Sequence, residues 1–286
     1  QLAAEYAITV NLWVDDLNSF SHILPKLDPC RTYQTFSDVN IIHWNESSIE
    51  KYVSGSCLIE AFACEIPSSI IQKLTKLKQD SPAKLPIWLN LEYLSAEDWV
   101  EGCHGLPSCQ TSGLQKYFYL PGFTDKTGGL ICEQNLFSLR DSWQSDKANK
   151  LALFAELGLS GIEAEHRVIS VFSYETPSLL ALIQSWQTQN DPIHVLIPKG
   201  RSLNSLTSIL PCSVNEVVAG QQITLGNVTL HILPMTDQQG YDRLLWSCDF
   251  NIVRGEDSFL RAQWAAKPFI WHIYPQEDDY HLIKLE

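Results

Sequence analysis

Methionine is nearly missing from this 286-residue chain, occurring once, at Met235. The eight cysteines (30, 57, 64, 103, 109, 132, 212 and 248) form no C-x-x-C pair and no zinc-finger spacing. That removes structural zinc and dithiol redox chemistry from the candidates. Several of these cysteines lie in apolar runs, so they read as reduced thiols in a cytosolic protein. There is no H-E-x-x-H and no other metal-ligand pattern, and no metal is expected. The glycine fingerprints G-x-G-x-x-G and G-x-x-x-x-G-K are lacking too, which argues against ordinary dinucleotide and P-loop readings. No apolar run is long enough for a bilayer-spanning helix, and no membrane partner is expected. Basic residues are scarce. With 20 Lys and Arg against 33 Asp and Glu the formal charge is −13. A general nucleic-acid binder needs cations to neutralise phosphates, so nucleic acid is not expected as a partner. A cationic partner fits, as does a small anion held by a few local groups.

What is present is a soluble globular composition, 45% hydrophobic and 19% charged, at a length that suits two domains. Apolar runs alternate with segments of helical spacing. Strands are expected over 8–14, 39–44, 57–63, 86–94 and 117–120. Helices are expected over 17–24 and 68–77, with a short one opening at Ser95-Ala96-Glu97-Asp98. From Glu133 to Asn149 the chain turns polar, and the domain boundary is placed there. The pattern then resumes: helix 151–159 ended at Gly161, strand 167–174, a helix from Thr176-Pro177 to Ser185, strand 193–197, strand 228–233 and helix 238–246. Such alternation implies an α/β fold with parallel sheets covered by helices. Two Rossmann-like domains of similar size facing each other across a cleft is the expected architecture.

The most informative stretch is Arg254-Gly255-Glu256-Asp257-Ser258. It separates an apolar strand, Cys248 to Val253, from a helix read over Phe259 to Ala266. Open α/β sheets bind ligands at such turns, where a helix start offers unpaired N–H groups and a positive dipole end. Two carboxylates and an arginine there can hold an anionic ligand and move a proton. A cap for the helix, through Asp257 and Ser258, is the plainer reading. The following segment, Phe269 to Gln276, reads as a further strand.

Three ordered motifs, R-G-E-D-S-F-L-R-A-Q-W-A-A-K-P-F-I-W-H-I-Y-P-Q (254–276), N-L-E-Y-L-S-A-E-D-W (90–99) and K-Y-F-Y-L-P-G-F-T-D-K-T-G-G-L (116–130), resemble the bacterial EarP family of protein-arginine rhamnosyltransferases. The resemblance runs along nearly the whole chain. It implies a GT-B glycosyltransferase fold, with an acceptor-side domain over 1–145 and a nucleotide-sugar-binding domain over 146–286. It implies inverting, metal-independent transfer of rhamnose from dTDP-β-L-rhamnose to one arginine of elongation factor P, in the cytoplasm and without a cofactor. By the same resemblance Glu256 is the catalytic carboxylate. Arg254, Asp257 and Ser258 contact the donor, Tyr274 its phosphate, and Phe172 and Tyr174 the nucleotide. Gln238 and Tyr241 surround the thymine. Tyr241 and Met235 stand where the family usually carries phenylalanine.

The family's D-N-x-G-D-x-G loop, source of its proposed general base, has no counterpart here. The chain is therefore expected to lack N-terminal residues, and a helix over 280–286 is expected to be cut short. Asp15 and Asp16 match a different strand end and are given no role. Glu60 is either paired locally or turned to the cleft. Glu92-Tyr93 and Gly128-Gly129 serve either acceptor contact or loop geometry. His272 reads as a satisfied strand histidine. The alternatives to the rhamnosyltransferase are a nucleotide-sugar transferase with a small-molecule or lipid acceptor, and a donor-binding module without turnover.

Overall fold

A computed structural model of the chain describes residues 2–21, 23, 24, 26–53, 57–80 and 87–274. The helix expected over 280–286 lies outside the described residues, as do Pro86, Pro275 and Gln276. The chain divides into two compact units, Gln1–Glu133 and Gln134–Glu286.

In the first unit β1 (Val10–Val14), β2 (Tyr33–Phe36) and β3 (Val39–His43) form a three-stranded sheet of order β1-β3-β2. A second sheet holds β4 (Cys57–Ala61), β5 (Ile87–Leu91), β6 (Pro107–Cys109) and β7 (Gln115–Tyr119) in the order β4-β5-β7-β6. The β1–β3, β4–β5 and β5–β7 pairings are parallel, whereas β2 and β6 pair antiparallel. The expected parallel sheet is thus two mixed sheets among the described residues. β2 and β6 escaped notice because short half-exposed strands carry little apolar signal.

The helices are α1 (Leu2–Tyr6), α2 (Leu17–Ser21), α3 (Glu46–Tyr52), α4 (Ser68–Asp80) and α5 (Trp99–Cys103). The helix expected to open at Ser95 starts only at Trp99. The Ser95 hydroxyl instead accepts the Glu97 N–H at 3.1 Å and fixes a turn ahead of it. Asp16 caps α2, accepting the N–H groups of Asn18 and Ser19 at 2.9 and 3.2 Å. Ile49, Val53, Ile70, Leu74 and Trp88 form the unit's main core.

The second unit begins with α6 (Leu136–Ser145) and α7 (Lys147–Glu156). The stretch read as a polar boundary is therefore helical, and α6 belongs to the second unit rather than to the first. Its polar residues face specific partners. The Trp143 indole donates to Ser247 Oγ at 3.0 Å, Gln144 to the Ala265 carbonyl at 2.9 Å, and Arg140 to the Trp264 carbonyl at 2.7 Å. The α7 helix stops at Gly158, which adopts φ of 70°, and not at Gly161.

The remaining elements are β8 (Arg167–Val171), α8 (Pro177–Trp186), β9 (Ile193–Pro198), β10 (Gln222–Leu225), β11 (Val228–Leu233), α9 (Gln238–Ser247), β12 (Phe250–Arg254), α10 (Glu256–Trp264) and β13 (Phe269–His272). A short 3₁₀ helix spans Arg201–Leu206. The six strands form one sheet of order β10-β11-β9-β8-β12-β13, parallel except for β10. One face packs Ile193, Val195 and Ile197 against Leu179, Ile183 and Leu203; the other packs Val168, Leu196 and Leu233 against Phe154 and Leu244. Burial on both faces is why these strands read as almost continuous apolar runs. At the Val168–Leu196 face three histidine rings lie in a row. His166 Nδ1 lies 3.0 Å from His194 Nε2, and His194 Nδ1 lies 2.8 Å from His231 Nε2.

Candidate functional site

The first parallel strand of the second unit, β8, has β9 and then β11 on one side and β12 and then β13 on the other. The strand order reverses between β8 and β12. Their carboxyl ends splay loops in opposite directions there and leave the crevice in which open α/β sheets take ligands. Phe172, Ser173 and Tyr174 follow the end of β8. Arg254 is the last residue of β12, and Gly255 begins the turn into α10.

Gly255 has φ of 68° and ψ of 177°, a backbone state that disfavours a side chain. It lets the chain reverse within one residue. The helix consequently starts at Glu256, three positions before the expected Phe259. Glu256 and Asp257 sit exposed in the first turn, and Ser258 is buried within it. A glycine at the cap position brings no side-chain acceptor for the N–H groups of that turn. These groups and the positive dipole end lie just past the carboxyl end of β12, the strand paired with β8. The Trp271 indole anchors the turn from β13, donating to the Gly255 carbonyl at 3.1 Å.

The Arg254 guanidinium lies over two rings, 4.4 Å from the centre of Phe172 and 4.9 Å from that of Tyr174. It also donates to the Ser173 carbonyl at 3.4 Å. Tyr174 in turn meets Tyr274 and His272 edge-on, at 5.4 and 5.6 Å between ring centres. Burial, and secondarily the Arg254 charge, lower the His272 pKa and favour the neutral imidazole. Its ring contact with Tyr174 accords with a structural strand histidine. Phe172 touches Tyr241 of α9, ring centres 5.9 Å apart. Burial pushes the Tyr241 phenol up to about 12, with the Asp257 and Asp242 carboxylates adding to the effect and the Ser258 hydroxyl opposing it.

A cavity of about 450 Å³ opens beside these groups, walled by Phe172, Gln238, Tyr241, Asp257 and Ser258. The structure thus brings five of the nine site residues read from the sequence to one cavity. Arg254, Tyr174 and Tyr274 form an adjoining aromatic–cationic cluster, joined to the cavity through Phe172. Glu256 is exposed on the same turn. Met235 also lines the cavity, and Gln238 opens α9. Asp237 caps that helix by accepting the Gly240 N–H at 2.8 Å. A Cβ on Gly240 would run into the Thr236 hydroxyl, so the start of α9 is closely packed there. Behind the cavity, Arg261 of α10 pairs with Asp242 of α9 at 3.1 Å, both buried, which ties the two helices that form its wall.

Sequence reasoning missed part of the wall. Leu153 and Glu156 of α7 and Leu157 just after it line the cavity, as do Pro198 and Leu233 at the ends of β9 and β11. The strand ends were recoverable, since a Rossmann order puts them beside the switch point. The α7 residues carried no signal, because only the packing of that helix on the sheet brings them there.

In the first unit Glu60 is locally paired. Its carboxylate accepts from the Trp88 indole at 2.8 Å and from Lys116 at 3.1 Å, across three neighbouring strands. Gly128 and Gly129 serve loop geometry. A Cβ on Gly128 would strike the Tyr119 ring at 2.7 Å, and Gly129 has φ of 68°. The eight cysteines are all free thiols. Among the described residues no cluster of three or more His, Cys, Asp or Glu side chains suits a metal, and no helix is long and apolar enough to cross a membrane.

Comparison with known proteins adds a second line of observation. The family model of the elongation factor P (EF-P) rhamnosyltransferase EarP matches residues 1–286. The protein-arginine rhamnosyltransferase of Shewanella oneidensis is 66% identical, over 100% of this chain and 73% of its own length. The enzyme of the same name from Pseudomonas putida is 44% identical over 100% of this chain and 74% of its own, and that of Neisseria meningitidis 34% over 99% and 70%. A solved structure described as the basis for EarP-mediated arginine glycosylation of EF-P superposes with a TM-score of 0.54 at 31% identity, covering 79% of this chain and 76% of that one. The switch-point cavity therefore sits in an enzyme of known class: the chain belongs to the EarP family of elongation factor P rhamnosyltransferases.

Proposed function

We propose that the second unit binds dTDP-β-L-rhamnose at the switch point, and that the enzyme moves the sugar, with inversion and without a metal, to one arginine of elongation factor P. In this reading the fold is of the GT-B class and the protein works in the cytoplasm. The observation that carries it is the Arg254–Ser258 turn: a helix start bearing two carboxylates and a buried serine beside a cavity with an aromatic wall. The volume, about 450 Å³, suits a nucleotide. Phe172, Tyr174, Gln238 and Tyr241 hold the base and the ribose side. Arg254, Asp257, Ser258 and Tyr274 hold the sugar diphosphate.

The chemistry follows from the acceptor. A guanidinium keeps its proton up to a pKa of about 12 or more, and its lone pairs are delocalised. One nitrogen must be aimed at the anomeric carbon and must lose a proton as the C–N bond forms. Carboxylates suit both tasks: of the two acids on the turn Glu256 matches the family's catalytic carboxylate, and the proton passes to a second acid, the aspartate of the family's D-N-x-G-D-x-G loop. The bond from the anomeric carbon to the phosphate oxygen breaks in the same displacement, which inverts the centre and requires no covalent enzyme intermediate. The departing dTDP gains negative charge. The first-turn N–H groups of α10, Ser258 and Tyr274 stabilise it in the role a metal cation plays elsewhere.

Incubation of the full-length protein with dTDP-β-L-rhamnose and elongation factor P tests the reading. The acceptor gains the mass of one deoxyhexose on an arginine, and an unchanged acceptor mass rejects the proposal. Calorimetry with dTDP alone separates donor binding from turnover.

A further inference from the structure

The turn that follows β4 is strained and yet closely held. Phe62 and Ala63 are consecutive non-glycine residues with φ of 56° and 51°. The left-handed region is unfavourable for any residue with a Cβ, and two in succession need outside support. Three hydrogen bonds supply it. The Phe62 N–H donates to the Leu91 carbonyl at 2.7 Å, the Cys64 N–H to the Ala61 carbonyl at 3.2 Å, and the Ala63 N–H to Asn90 Oδ1 at 3.2 Å. Asn90 is 1% exposed, and its amide nitrogen donates to the Glu92 carboxylate. One buried amide therefore fixes both the turn that carries Phe62 and the acid two residues beyond itself.

The product of this support is an aromatic pair on the surface. Phe62 and Tyr93 stack with ring centres 4.3 Å apart and planes inclined by 19°. They remain 49% and 58% exposed, so the strain does not serve core burial. Backbone strain maintained against solvent, with a buried residue dedicated to it, is a feature of binding surfaces.

We propose that Phe62, Tyr93 and Glu92 form a seat for a guanidinium group of a protein partner. Aromatic faces attract planar cations, and the carboxylate of Glu92, the residue before Tyr93, can accept guanidinium N–H groups. The net charge of −13 draws a cationic partner and repels an anionic one. The inference deepens the acceptor side of the reading above and rests on it for the identity of the partner as an arginine-bearing protein.

Two variants test it in the full-length protein. Phe62→Gly removes the ring and also relieves the positive φ, so folding is preserved; Tyr93→Leu removes the partner ring. Each raises the KM for elongation factor P about ten-fold while the KM for the donor stays put. A second readout needs no transfer: an arginine-containing peptide shifts the Tyr93 ring resonances, the citrulline peptide of the same sequence does not, and both variants weaken the arginine peptide. If the arginine and citrulline peptides act alike, or if both variants keep the wild-type acceptor KM and peptide affinity, the seat is refuted. Absence of any sugar transfer by the wild type counts against the transferase reading alone, because the peptide comparison still decides the seat.

Discussion

Among the described residues the two units spend their polar groups differently. The first unit carries its strands in two sheets, of three and four strands, whereas the second builds one sheet of six. Inside the four-stranded sheet Glu60, Asn90 and Lys116 link neighbouring strands by an ion pair and hydrogen bonds. The central strands of the second unit are apolar on both faces, apart from Ser170, Asn251 and the histidine row, and most polar chemistry lies at their carboxyl ends. A sheet buried on both faces can be rigid without charges. It then leaves the switch point as the place where polar residues are in demand. The first unit instead uses polar residues as structural links, so a lone charge in one of its strands is a weaker sign of function. Glu60 and Glu256 show the difference: Glu60 is buried and paired within a strand, whereas Glu256 is exposed on the turn whose next two residues, Asp257 and Ser258, line the cavity.

The sharpest way to test that contrast is at Glu256. Glu256→Gln keeps shape and removes the charge, so kcat falls by about 10²–10⁴-fold while the dTDP Kd measured by calorimetry changes little. A variant that turns over at the wild-type rate removes Glu256 from the mechanism. The same contrast predicts that Lys116→Ala acts on stability. It strands the buried Glu60 carboxylate and costs about 3 kcal/mol, read as a lower denaturant midpoint of the first unit, with donor binding to the second unit unaffected.

The third prediction concerns the buried histidines of the second unit. Burial, and then the charge of the neighbouring ring, lower the pKa of His194 and bring that of His231 down to about 4. His166 and Glu163 face the outer end of the row. In the unfolded chain these imidazoles titrate near 6.5, so between about 6.5 and 4 the unfolded state binds more protons. Stability is full above that window and is lost as the pH falls through it. His231→Gln flattens the dependence in chemical denaturation between pH 7 and 4.5; an unchanged slope would mean the row is not the sensor. The smallest effect is expected at Gly255. Gly255→Ala forces a Cβ into the left-handed region and costs about 1–2 kcal/mol, visible as a modest fall in Tm and a weaker dTDP affinity.

Much of the second unit was legible. Strand 228–233 has the limits read for it, and 193–197 and helix 238–246 differ by a single residue. Their two-faced burial leaves an unbroken apolar signature. The first unit was less legible, since β2, α3 and β6 are short and half exposed, and their residue types suit loops equally well. Helix α6 was hidden because its anchoring groups, Arg140, Trp143 and Gln144, bond to backbone and hydroxyl partners about a hundred residues away in sequence. Polar composition alone makes such a segment look like a linker.

The residues themselves determined that Arg254 to Ser258 form a turn between strand and helix: glycine permits the reversal, and the acidic first turn suits the dipole. They determined the apolar strands, and through ordered motifs they determined the family. Only the tertiary structure decided which side chains share one place. Strand order put Phe172 and Arg254 at adjacent strand ends, packing of α7 and α9 on the sheet closed the cavity walls, and one buried amide at Asn90 set the Phe62–Tyr93 pair on the surface. Local backbone preference is a property of neighbours in sequence, whereas convergence of distant side chains depends on which strands pair, and that is settled by burial summed over the whole domain.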